Sequence, residues 1–287
     1  MSVINYINSN FINPLQSIPK QLHYSAKKKY NPLNNTGRKH HIIVSLTSFP
    51  ARFGTLHYCL NSLFSQSMPP DLVFLCLSKE EVTDESVLPA SVHEFRKYGL
   101  QIYITDQNLK PHNKYLSAMQ LFPESLIITA DDDCMYDINL ISDLYNSYLN
   151  YPVAVSSRRV HKITADSNGN VLPYSKWDYE YKKNTKPSNY LLATGVGGVL
   201  YPPGILPAET FKADRIRELC LNADDIWLKF MELKNNIPVV WVKSNRVHPY
   251  TIIKAQKFNL QKNNYHDNQN DKYITLMQNY YKIKLIV

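Results

Sequence analysis

The run Ser125-Leu126-Ile127-Ile128-Thr129-Ala130 passes directly into Asp131-Asp132-Asp133. A compact apolar segment of that length reads as a buried strand. Three carboxylates at its end are costly for folding, since like charges repel and each needs a partner. A divalent cation would offset that cost. Mg2+ and Mn2+ prefer oxygen ligands, and one or two carboxylates with water and substrate phosphates complete their coordination. Asp also caps helices and opens turns, which is the plain structural alternative.

Upstream, the same pattern repeats. His41 to Leu46 is an apolar run of strand length stopped by Thr47-Ser48-Phe49-Pro50, and Leu56, Leu60, Leu63 and Phe64 then recur at helical spacing. Leu72 to Leu77 and Leu100 to Thr105 read as further strands, with a polar, helix-like stretch between them closing at Tyr98-Gly99 and a helix around Lys114 to Leu121. Alternation of strand and helix predicts an α/β fold with a mostly parallel sheet flanked by helices. Ligands in such sheets bind at the carboxyl ends of the strands, where Thr47 to Arg52, Ser78-Lys79-Glu80, Asp106 and the aspartate triplet all fall. Beyond the triplet the pattern is less regular: a strand near Val153 to Val155, a polar turn at 166–170, a helix over Ala223 to Leu233 and a strand over Ile237 to Val242.

The chain has 287 residues, 44% of them hydrophobic, enough for one substantial core. We expect one domain over 41–245, with a nucleotide-binding half at 41–135 and an acceptor half at 136–245, between an irregular N-terminal extension at 1–40 and a basic C-terminal tail at 246–287. No secretory signal or membrane-crossing stretch is expected. The scattered cysteines 59, 76, 134 and 220 suggest neither a disulfide framework nor a zinc site, which favours a reducing cytoplasm. A net charge of +8 with 21 tyrosines favours phosphate-bearing partners: a nucleotide diphosphate, or an anionic membrane surface that would hold the protein at the inner face of the plasma membrane. No nucleic-acid motif is present, and nothing indicates the oligomeric state.

Five segments together resemble the GT-A glycosyltransferases, in particular a group that builds bacterial surface polysaccharides such as capsule and lipopolysaccharide: Ser45 to Arg52, Pro111-His112-Asn113-Lys114-Tyr115, the DXD-like Ile127 to Asp133, Thr194 to Gly204, and Ala223-Asp224-Asp225-Ile226-Trp227. The resemblance implies a Rossmann-like GT-A fold. It also implies metal-dependent transfer of a sugar from a nucleotide-diphosphate sugar, a UDP-sugar being favoured, to a saccharide or lipid-linked acceptor. Carried over residue by residue, it places Thr47, Phe49 and Arg52 around the nucleotide, where an Arg fork suits phosphate and Phe suits a base. It places Lys114, Asp131 and Asp132 at the donor, and Asp131 and Asp133 on Mn2+ or Mg2+. His248 is the expected third ligand, with His266 as runner-up.

Half of the eight glycines lie between 195 and 204, a concentration that signals close backbone approach or positive φ, and the resemblance implies that Gly197 and Gly198 lie beside the donor sugar. The acidic helix start resembles the position of the catalytic base in inverting members, with Asp225 as base and Asp224 as the alternative. Capping competes with that role. Two other classes fit parts of the pattern. A sugar-nucleotide nucleotidyltransferase would share the sheet and carboxylates but carry a glycine-rich loop after its first strand, where only Gly54 lies. A non-catalytic anion-binding or membrane-binding protein would leave the acidic pairs unexplained.

Overall fold

The computed structural model describes residues 13–26, 30, 33–34, 37–244, 246, 248–258 and 268–285. Its centre is the mixed, mostly parallel sheet expected from the sequence. Strands β1 (Ile42–Thr47), β2 (Leu72–Ser78), β3 (Leu100–Thr105) and β4 (Leu126–Thr129) run parallel in the order β4-β1-β2-β3. The sheet continues past β4 through β9 (Val199–Tyr201), β6 (Val155–Ser157) and β10 (Val239–Trp241). β9 is antiparallel to both neighbours, and β6 and β10 are parallel to each other.

The unbroken apolar runs follow from burial on both faces. Successive side chains in a strand point to opposite sides. Ile42, Val44 and Leu46 therefore pack with Leu56, Leu60 and Leu63 of helix α1b (Phe53–Leu63), while Ile43 faces Phe74, Ile127 and Ala118 on the other side. The first helix, α1a, spans Asn13–Ala26. Ala118 belongs to α2 (Asn113–Leu121). A separate cluster built on Trp227, Phe230, Val239 and Trp241 holds the second half together.

Two departures from the expected pattern have local causes. The polar stretch before β3 forms only short pieces, a 3-10 segment at Glu85–Val87, a four-residue helix at Ala90–His93 and a 3-10 segment at Glu94–Tyr98, ended by Gly99 at φ +102°. The strand expected at Val153 starts later, and Val153 itself is exposed. Described parts of the C-terminal region also pack on the core. β11 (Tyr250–Thr251) pairs antiparallel with β5 (Cys134–Met135), and the last helix, α4 (Gln269–Tyr281), buries Tyr273, Ile274 and Met277 against α3 (Asp224–Lys234). Helices Leu140–Asn150 and Ala213–Leu219 complete the layers.

Sheet order reverses beside β1, whose neighbours are β2 on one side and β4 on the other. A crevice at the carboxyl ends of strands opens at such a point. The loop Thr47 to Arg52 and the triplet Asp131 to Asp133 leave the sheet there.

Candidate active site

The three aspartates are not equivalent. Asp132 turns inward, accepting from Ser48 Oγ at 2.6 Å and from Arg52 Nη1, and its side chain is 5% exposed. Asp131 and Asp133 are 27% and 12% exposed. Arg52 forks across the triplet, with Nη2 3.1 Å from Asp133 Oδ2 and the guanidinium 5.2 Å from the centre of the Phe49 ring. Burial pushes the Asp132 carboxyl up, and even with Arg52 pulling the other way it stays at about 6. Asp133 is raised by burial too, with Asp131 adding to the effect and Arg52 opposing it.

Lys114, at the start of α2, reaches the other flank. Its ammonium lies 2.7 Å from Asp131 Oδ1 and 2.8 Å from Asp224 Oδ2. Burial disfavours the charge, but the surrounding Asp131, Asp224 and Asp225 outweigh it and hold Lys114 protonated. Asp224 responds in kind: burial raises its carboxyl, and Lys114 followed by His112 pulls it below the usual range.

Asp225 is held differently. Its Oδ1 accepts from the Gly195 amide at 2.9 Å, a bond to a separate loop and not to its own helix. Burial, then the neighbouring Asp224 charge, raises Asp225 to about 8, with Lys114 offsetting part of the rise. A carboxyl with that value near neutral pH is matched to proton transfer. A Cβ placed on Gly195 would sit 2.6 Å from Lys114 Nζ, 3.3 Å from Asp225 Oδ1 and 3.4 Å from Asp131 Oδ1. All three groups thus converge on Gly195, closely enough that a side chain there would displace one of them.

The other residues assigned from the sequence have the following partners. Thr47 Oγ1 donates to Cys76 O across the strand pair, and Arg52 is engaged by the triplet. Asp132 acts on Arg52 and Ser48. Gly197 and Gly198 are required by packing: a Cβ at Gly197 would meet Arg159 N at 2.8 Å, and Gly198, at φ +81°, lies against Leu140. Gly195 is the glycine that faces the cluster.

His248 pairs with Glu180. Burial alone would raise Glu180, but His248, Arg159 and Lys182 pull it to about 2. Among the described residues no three His, Cys, Asp or Glu side chains gather as a metal group, and His266 lies outside the described residues. Asp131 and Asp133, the two more exposed carboxylates of the triplet, present hard oxygen donors. That set fits a Mg2+ or Mn2+ ion which takes its remaining ligands from water and phosphate.

Sequence reasoning missed Ser48, Gly195 in its facing role, and Tyr136, whose hydroxyl accepts from the Asp131 amide at 2.7 Å. Ser48 and Gly195 lay within segments already singled out. The tyrosine three residues after the triplet had no signal of its own.

No family model matches the chain, and no curated protein matches it. Solved structures do. TarS of S. aureus (residues 1–349) is 17% identical over 77% of this chain and 63% of that one, with TM-score 0.48. The Pyrobaculum calidifontis mannosyltransferase PcManGT, in complex with GDP-Man and Mn2+, is 11% identical over 83% and 64%, with TM-score 0.44. CMP:2-keto-3-deoxy-manno-octonic acid synthetase complexed with CTP is 12% identical over 77% and 96%, with TM-score 0.42. The chain therefore spans somewhat under two thirds of the first two. The TM-scores, all below 0.5, describe a likeness in chain layout to glycosyltransferases and nucleotidyltransferases and extend to no individual residue.

Proposed function

We propose that this chain is a glycosyltransferase that moves a sugar from a nucleotide-diphosphate sugar to a saccharide or lipid-linked acceptor, with inversion, at the cytoplasmic face of a bacterial membrane. The observation that carries the reading is the convergence at Gly195 of Asp131 from the end of β4 and Asp225 from the start of α3. Asp131 and Asp133 would hold a divalent cation together with the donor diphosphate. Bound there, the cation would neutralise negative charge developing on the leaving group.

Asp225 supplies the base. An acceptor hydroxyl gives its proton to the Asp225 carboxylate as its oxygen bonds to the anomeric carbon. The bond from that carbon to the diphosphate oxygen breaks, and the nucleoside diphosphate leaves with the electron pair. Lys114 keeps Asp224 ionised, which leaves Asp225 as the carboxyl with the higher proton affinity.

A donor screen tests this without an acceptor. Incubation with nucleotide sugars and Mn2+ should slowly release nucleoside diphosphate by hydrolysis. Release of nucleoside triphosphate on adding pyrophosphate would identify a nucleotidyltransferase instead, and no turnover in either direction would remove both readings.

A further inference from the structure

Helix α1a carries its apolar face outward. Leu15, Ile18 and Leu22, spaced i, i+3 and i+7, fall on one side and are 67%, 45% and 67% exposed. Pro19 on the same side is exposed, while Ser17 and Tyr24 on the opposite side are buried. A helix of a globular protein ordinarily does the reverse and turns its apolar stripe to the core. The inner side is nonetheless firmly seated. α1a packs on β11 and α1b, Gln16 Oε1 accepts from Arg246 Nη1 at 3.1 Å, and Lys20 Nζ lies 5.6 Å from the centre of the Tyr250 ring.

The stretch of sequence that contains this helix carries charge of one sign. Lys20, Lys27, Lys28, Lys29, Arg38, Lys39 and Arg52 all precede Asp71, which is the first acidic residue of the chain. Nearly all of the net +8 therefore arises in this region. An outward apolar stripe on a helix that carries Lys20 and is followed directly in sequence by Lys27-Lys28-Lys29 matches a surface that is apolar beneath an anionic layer. That is the interface of a membrane rich in anionic lipid, where apolar insertion and polybasic attraction reinforce each other. Among the described residues no helix is long and apolar enough to cross a bilayer.

We propose that α1a lies in the plane of an anionic membrane with Leu15, Ile18 and Leu22 inserted among the lipids. This inference does not rest on the catalytic reading. It does orient the molecule, because β11, on which α1a packs, leads directly to Ile252, whose amide donates to Asp133 O at 2.9 Å. The bound surface thus lies two short steps from the aspartate triplet.

Sedimentation of the full chain with vesicles decides it. With phosphatidylglycerol and phosphatidylcholine together at low salt, the protein should pellet with the lipid, and it should stay in solution with phosphatidylcholine alone. Leu15→Gln, Ile18→Gln and Leu22→Gln combined should lower partitioning roughly tenfold or more while leaving the thermal midpoint unchanged, since the three side chains are already solvated. Lys27→Gln, Lys28→Gln and Lys29→Gln combined should weaken binding and its salt sensitivity. Wild-type protein remaining in the supernatant with the anionic vesicles would overturn the proposal, as would a stripe variant that binds like wild type. If the stripe variant merely converts a dimer to a monomer with vesicle binding unchanged, the face belongs to a second copy of this chain.

Discussion

The Lys114 ammonium lies 2.8 Å from Asp224 Oδ2, and this ion pair ties the start of α2 to the start of α3. Both partners are buried, and Asp131 completes the bridge on the other side. Breaking a buried pair leaves an uncompensated charge, whereas removing both partners need not. Lys114→Met should therefore lower stability by about 3–5 kcal/mol in urea unfolding. Adding Asp224→Asn to Lys114→Met should recover part of that loss. A double variant as unstable as the sum of the two single changes would show that the pair is not coupled.

Asp225 links activity to pH. A base works ionised, so kcat/KM for the free enzyme should rise with pH along a limb whose apparent pKa is about 8. Asp225→Asn should remove that limb and lower turnover roughly a hundred-fold or more, with donor binding little changed. Stability should run the other way. The folded carboxyl keeps a proton that the unfolded one sheds near 3.8, so stability falls as pH rises from there to about 8, and the Asn variant should flatten that slope. A pH profile in the Asn variant identical to wild type would place the base elsewhere.

The glycines separate catalysis from packing. Gly195→Ala puts a methyl 2.6 Å from Lys114 Nζ, the movable end of a side chain, so the fold should survive while activity falls sharply. Gly197→Ala drives its methyl against Arg159 backbone, with N at 2.8 Å and Cα at 3.2 Å, and neither can move aside. That variant should lose roughly 1–3 kcal/mol of stability. Comparing thermal midpoints with donor turnover for the two variants checks the contrast.

The sheet half of the molecule was legible because β1, β2 and β4 are buried on both faces and show as unbroken apolar runs. Asp131, Asp133, Asp224, Asp225 and Lys114 were singled out from the sequence, and the structure brings Lys114 into contact with two of them. What the sequence did not show was which partner each charge takes. Arg52 turning onto Asp132 and Asp133, and His248 onto Glu180, are contacts across 80 and 68 positions that no local pattern encodes. The glycine cluster was visible, but the facing member is fixed by Arg159 and Leu140 crowding its neighbours. The outward stripe of α1a was hidden because its spacing is the same whichever way the helix faces.

A second buried pair gives a control away from the cluster. Lys229 and Glu232 sit one turn apart on α3, each 1% exposed, with Nζ 3.3 Å from Oε2. Burial raises Glu232 to about 7 and lowers Lys229, so the pair is held against a large desolvation cost. Lys229→Met alone should destabilise by about 3–5 kcal/mol, while Lys229→Met with Glu232→Leu should be near neutral in urea unfolding.

The most direct test is calorimetric titration of UDP into the protein with and without Mn2+. Asp131 and Asp133 supply only part of a coordination shell, so ion and diphosphate should each bind tightly only in the presence of the other. Asp133→Asn should abolish that mutual dependence, while Asp225→Asn should preserve it. UDP binding that is independent of Mn2+, or unaltered by Asp133→Asn, would contradict the assignment of the triplet to a cation and a nucleotide diphosphate.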